Sequence, residues 1–126
     1  MGYRSDVTAV FYVSKPEHLP VLKLWLSENF PMDLFDEHIR WFGRGMILEE
    51  QGIKWYQDYD EIKAFNSSVE KYYGLMNMGA EDGDDPPKFS YEFVRIGENY
   101  DDIETDYQGE HCEYLLGVDR SVTIDL

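Results

Sequence analysis

The residues best placed to do chemistry in this chain are carboxylates near its C-terminus. Asp101, Asp102, Glu104 and Asp106 form a dense row, with Glu98 and Tyr100 beside it. On a β-strand every second side chain shares a face, about 6.6 Å from the next. Asp102, Glu104 and Asp106 would then present evenly spaced negative charges. A basic groove built for phosphates would accept such a row, and the attraction would weaken with salt. The same row also serves as a solvated strand face that keeps a sheet edge from pairing. Both readings stand on the sequence.

The other candidates are weaker. Glu81-Asp82-Gly83-Asp84-Asp85 clusters carboxylates around a glycine, as calcium loops do. An EF-hand needs a bidentate glutamate six residues beyond that glycine, and Phe89 stands there. The segment reads as an acidic, solvated loop. His18, His38, His111 and Cys112 have no spacing typical of zinc ligands. His38 lies on an apolar stripe and reads as a core or rim histidine. His111 and Cys112 are adjacent, so on a strand they point to opposite faces and cannot easily share a proton. No Gly-rich phosphate loop, GxSxG, HExxH or CxxC is present. The expectation is a protein without enzymatic activity, cofactor or metal.

Two strand-rich regions would position the acid row. From Phe89 to Leu126 the chain alternates apolar and polar residues. Phe89, Tyr91 and Phe93 oppose Ser90, Glu92 and Val94, and Ile103, Thr105 and Tyr107 oppose Asp102, Glu104 and Asp106. Turns fall at Gly97-Glu98-Asn99 and Gln108-Gly109-Glu110. Tyr114, Leu116 and Val118 continue the apolar face, and Val122 to Leu126 ends the region. The pattern predicts an antiparallel meander with one face on the core and one in water. Near the N-terminus, Asp6 to Val13 is apolar on both sides and predicts a central strand.

Helices fill the space between. Ser14-Lys15-Pro16-Glu17 has the form of a capping box, but Pro20 favours a helix beginning there and ending near Phe30, with Leu22, Trp25, Leu26 and Phe30 buried. Asp33 to Phe42 reads as a short helix, with Ile39–Phe42 as strand in the alternative. Met46–Glu50 and Ile53–Gln57 read as a hairpin across Gln51-Gly52. Asp58 with Glu61 predicts the start of a helix whose stripe is Ile62, Phe65, Val69, Tyr72 and Met76. Residues 77–88, with Gly79, Gly83, Pro86 and Pro87, predict an exposed acidic loop. The whole predicts one α+β domain over 1–126: a two-layer arrangement of a mostly antiparallel sheet of about five to six strands, with two to three helices on one face.

Charge narrows the function. The net charge is −15. Residues 77–126 carry fourteen acids against three bases, and residues 1–76 twelve against eight. The C-terminal half therefore does not bind nucleic acid or an anionic membrane directly, but suits a basic partner or a cation. The single cysteine forms no internal disulfide and fits a reducing compartment. No apolar run approaches the roughly 20 residues that span a bilayer, and the opening residues lack a signal-peptide core. A cytoplasmic protein is expected. Twenty aromatic residues exceed the needs of a small core. Trp41, Trp55, Tyr56 and Tyr59, near predicted turns, suit either an interface or the sheet edges.

Gly2-Tyr3-Arg4-Ser5-Asp6-Val7 and the segment Phe93-Val94-Arg95-Ile96-Gly97-Glu98-Asn99-Tyr100-Asp101-Asp102-Ile103-Glu104 resemble stretches of small proteins encoded by bacteriophages and prophages. The resemblance implies a setting, the cytoplasm of an infected bacterium. It implies no activity and carries over no functional residue. Together these readings lead to an accessory protein that binds and inhibits a basic, nucleic-acid-binding host protein, as a nucleic-acid mimic or anti-defence factor does. Asp101, Asp102, Glu104 and Asp106 would supply its charge, and Glu98 and Tyr100 its flanking contacts. The alternative is a self-associating structural or assembly protein, with a homodimer as its simplest form.

Overall fold

A computed structural model describes residues 3–77, 87–99, 101–109, 112–118 and 122–124. The strand Ser5–Val13 (β1) is central because both of its faces are apolar. Val7, Ala9, Phe11 and Val13 enter one hydrophobic cluster, while Val10 and Tyr12 enter another on the opposite face. Gly45–Ile53 (β3) and Phe89–Gly97 (β4) flank β1, both antiparallel to it. Ile39–Phe42 (β2) and Ile103–Gln108 (β5) form the two edges. The five-stranded sheet runs β2-β3-β1-β4-β5, and every neighbour is antiparallel. This is an α+β domain, as the sequence predicts.

The helices pack on one face. Leu19–Asn29 (α1) has Pro20 in its first turn, where the missing N–H costs nothing. The capping box at Ser14 does not form. Pro16–His18 is a short 3-10 turn capped at Lys15 without a side-chain bond. Leu22 and Leu26 are buried under α1, and Phe30 caps it. Asp60–Asn77 (α3) starts one residue later than an N-cap at Asp58 would place it and buries Ile62, Phe65, Val69 and Tyr72. Around Phe11, edge-on contacts with Phe30, Phe65 and Tyr72 lock the helices onto the sheet.

Three expectations need correction. Asp33–Phe42 is not one helix. It is a single turn, Met32–Phe35 (α2), a 3-10 turn at Asp36–His38, and then β2. Ile39–Phe42 pairs residue by residue with Leu48–Gly45, and that ladder overrides the local helical spacing. The hairpin turn lies at Gly43-Arg44, not at Gln51-Gly52. β3 runs through Gln51-Gly52, which forms a bulge: the register with β1 shifts between Ser5↔Ile53 and Val7↔Glu50. Gly52 has φ +65, its N–H donates to Asp6 Oδ1 at 2.9 Å, and Arg4 Nη1 donates to its carbonyl at 2.7 Å. A residue with a Cβ is strained at that φ. Gly52→Ala should therefore lower stability by roughly 1–2 kcal/mol without any clash, read as a lower urea midpoint at unchanged m-value.

The third correction concerns the C-terminal region. It does not continue the meander. Leu116–Val118 (β6) and Val122–Ile124 (β7) form a separate two-stranded sheet. Leu115, Leu116, Val118 and Ile124 pack on Val10, Tyr12, Ile47 and Val94, on the sheet face away from the helices. The face expected in water is thus covered as well. Tyr114 has φ 53 and is exposed, so it does not join that apolar face.

Candidate interaction face

Strand register assembles a polar row across one end of the sheet, on the helix side. Val7 of β1 pairs with Glu50 of β3 and Arg95 of β4, and Arg95 pairs with Glu104 of β5. Directly opposed residues share a face, so Glu50, Val7, Arg95 and Glu104 lie in line. At this end β1 and β5 begin and β3 and β4 finish, and Tyr56 just before α3 receives the Tyr3 N–H at 2.6 Å.

Arg95 organises the β5 side of the row. Its Nη2 donates to Asp102 Oδ1 at 2.9 Å, Nη1 to Asp102 Oδ2 at 3.2 Å, Nε to Glu104 Oε1 at 3.0 Å and Nη1 to Ser5 Oγ at 3.0 Å. The Tyr3 hydroxyl donates to Asp102 Oδ2 at 2.6 Å and accepts the Asn99 N–H at 2.9 Å. Arg95, and after it Tyr3, hold the Asp102 carboxyl below its usual range, and Asp102 in turn raises the Arg95 guanidinium. Gly97 fits against this cluster because it lacks a Cβ; one added there would collide with the Asp102 carboxylate and the Tyr3 hydroxyl.

The predicted acid row is therefore not a flat, unpaired ladder. Asp102 precedes β5 and is bound by Arg95 and Tyr3. Glu104 and Asp106 share a face, as expected, but it is the helix face. Glu104 meets Arg95, and Asp106 accepts from the Tyr73 hydroxyl of α3 and from Gln108 Nε2 at 2.8 Å. Arg95 and α3, which strand periodicity cannot foresee, engage all three of these acids, of which Glu104 stays half exposed. Asp101 and Glu98 remain exposed at the corner between β4 and β5, with Glu98 Oε1 accepting the Arg4 N–H at 3.1 Å. Tyr100 lies outside the described residues.

On the β3 side, Glu50 is 8% exposed, and its Oε1 lies 3.2 Å from His38 Nε2. Burial, with help from Glu61 of α3 and against the opposing pull of His38, pushes the Glu50 carboxyl above its ordinary value. His38 is thus a rim histidine, as expected, although it sits in the 3-10 turn and not on a helix.

A second buried carboxylate went unnoticed in the sequence. Glu92 of β4 is fully buried on the far face. It accepts the Tyr12 hydroxyl at 2.6 Å and the Leu115 and Leu116 N–H groups at 3.0 and 2.9 Å, with the Cys112 thiol at 3.5 Å. It clamps the C-terminal strap to the sheet. Alternation alone placed Glu92 in water. The available signal was its apolar company, Val94 and Ile96 on the same face and Leu115-Leu116 downstream.

Burial raises the Cys112 thiol, away from the thiolate that a nucleophile requires. His111 and the Glu81–Asp85 loop lie outside the described residues. Among the described residues no group of three His, Cys, Asp or Glu converges to hold a metal ion, and no helix is long and apolar enough to cross a membrane. Trp55 is core, packed on Phe65 and Phe93, while Tyr56 and Tyr59 stack edge-on at the acidic end. Trp41 lies on the β2 edge with the Lys23 ammonium 5.0 Å from its ring centroid. No protein-family model, no curated protein and no solved structure matches this chain.

Proposed function

We propose that the protein is a non-enzymatic binding protein whose acidic sheet end engages a basic partner. The observation that carries this reading is a gathering of carboxylates from distant parts of the chain. Glu98, Asp101 and Glu104 at the β4–β5 corner, and Glu61 at the start of α3, meet at the end where the sheet row lies. Arg95 there is ion-paired with Asp102 and Glu104, whereas Arg4 donates to the neutral Gly52 carbonyl and keeps its charge. Acids still outnumber bases among these residues, so the outward field is negative and draws cationic surfaces. In the bacteriophage setting that the sequence suggests, the partner would be a nucleic-acid-binding host protein and the outcome its inhibition. The match is one of clustered charge, not of an evenly spaced row. The charged side chains on β5 also discourage edge pairing, which weighs against self-assembly through that edge.

The test is capture from bacterial lysate on the immobilised protein, with stepped salt elution and identification by mass spectrometry. A basic protein eluting as salt rises is expected. Glu98→Lys and Asp101→Lys together should cut its capture at least tenfold. Reversing Asp102, Glu104 or Asp106 would confound the result, because Arg95 and Tyr73 bind them within the fold. Undiminished capture by the double variant would move the site away from this end.

A further inference from the structure

The C-terminal strap is joined to the sheet it covers by a strained hinge. β6 and β7 bond to each other, so the strap is a pair of strands in its own right. Leu115, Leu116, Val118 and Ile124 lie on the far face. Glu92 holds the Leu115 and Leu116 N–H groups, the Tyr12 hydroxyl accepts the Glu113 N–H, Tyr107 donates to the Leu116 carbonyl at 3.0 Å, and Arg44 pairs with Glu113. The chain turns back from β5 through two left-handed residues. Gly109 has φ +115, and its carbonyl accepts the Cys112 N–H at 3.2 Å. Tyr114, with φ 53, is the one non-glycine residue of positive φ among the described residues, a conformation its Cβ disfavours. Its ring is exposed and gains only a tilted contact with Tyr107 in return.

We propose that the strap exchanges between two copies of this chain. Residues 112–124 of each copy lie on the sheet of the other, and each Glu92 clamps the same two amides of the other copy. The occupant of the far face is the same segment in both states, so exchange keeps every contact of the strap. Only the hinge changes. An extended Tyr114 sheds its left-handed strain, and short strained hinges invite exchange of this kind. From Gly109 to Leu115 the extended chain reaches about 20 Å at most, which holds the two sheets close. Their acidic β5 edges then approach, so the dimer should strengthen as salt screens the repulsion. A basic partner at the acidic end responds to salt in the opposite sense. The exchange uses the far face and does not rest on the binding reading.

Two variants carry the test, both with Cys112→Ser. One adds Arg44→Cys and the other Glu113→Cys, at positions that are ion-pair partners across the strap. Each new thiol sits on a different chain, so a short bis-maleimide joining positions 44 and 113 must tie one copy's strap to another copy's sheet. The variants are mixed, concentrated with gentle warming, diluted and then linked. A 44–113 linked dimer is expected by mass spectrometry, and a mixture never concentrated should give none. Light scattering on the unsubstituted protein should show a dimer that grows with concentration and salt and dissociates slowly on dilution. Tyr114→Gly relieves the strain in the monomer and should weaken dimerisation about tenfold. A concentrated mixture without the 44–113 link, an unsubstituted protein that stays monomeric at every concentration, or a dimer indifferent to Tyr114→Gly overturns the exchange. None of these readouts involves a binding partner, so failure of the proposed function would leave them unaffected.

Discussion

Replacing Glu92 by glutamine is expected to destabilise the protein by about 3 kcal/mol. The carboxylate is fully buried and has no ion-pair partner among the described residues. Its two oxygens take the Leu115 and Leu116 N–H groups, with the Tyr12 hydroxyl on one of them. Glutamine puts an NH2 where one of those oxygens stands, so a donor would face a backbone donor. A buried N–H loses its acceptor, and the penalty is the desolvation of a polar group rather than the small net worth of a bond. The melting temperature should fall by about 10 °C, and hydrogen exchange should rise first over residues 112–118. Tyr12→Phe should move in the same direction by less. It removes the donor to Glu92 and the acceptor that receives the Glu113 N–H at 2.7 Å, yet leaves the carboxylate in its amide clamp. An unchanged melting temperature for Glu92→Gln would mean that the strap does not depend on this clamp.

The second large effect is expected at Arg95. Its side chain is 16% exposed and serves two carboxylates and a serine at once. Arg95→Met keeps the length and the apolar stem but leaves Asp102 and Glu104 side by side without a counter-charge. Breaking a buried pair costs roughly 3–5 kcal/mol. Here about 2 kcal/mol is expected, because Glu104 is 53% exposed and solvent screens it. The pH dependence supplies a signature. Asp102 titrates below its usual value in the folded state, so its contribution is present above the unfolded value and lost as pH falls through the folded one. Wild type should therefore lose stability below about pH 4, and Arg95→Met should lack most of that component. Denaturant midpoints at pH 7 and pH 3 decide it; an equal acid loss in both proteins would assign the effect to other carboxylates. The substitution also bears on function. It frees two acids at the end proposed to bind a basic partner, so affinity should hold or rise while stability falls, which separates binding from folding.

Patterns confined to one element were legible in advance. Apolar residues on both faces of Val7–Val13 made β1 central, and the step of three and four from Ile62 to Tyr72 made α3 an amphipathic helix against the sheet. Gln51-Gly52 misled because the same glycine chemistry serves a turn and a bulge, and only pairing with β1 distinguishes them. At Ile39–Phe42 local spacing leaves helix and strand both open, because four residues are too few to decide, and the ladder with β3 settles the strand. For the acid row, alternation correctly put Glu104 and Asp106 on one face, but it could not say that α3 and Arg95 were waiting there.

Fold class, central strand, helix faces and the excess of negative charge can all be read from the order of residues, because each depends on composition or on the period of a single segment. Where that charge is spent depends on how distant segments pack. Register placed Arg95 between Glu104, nine positions along the chain, and Val7 of β1, and brought Glu50 to His38. It also turned Glu92 from a solvent-facing residue into the clamp of a second layer. Which face of a strand meets water is set by what packs on it, and that contact comes from parts of the chain that no local period can identify.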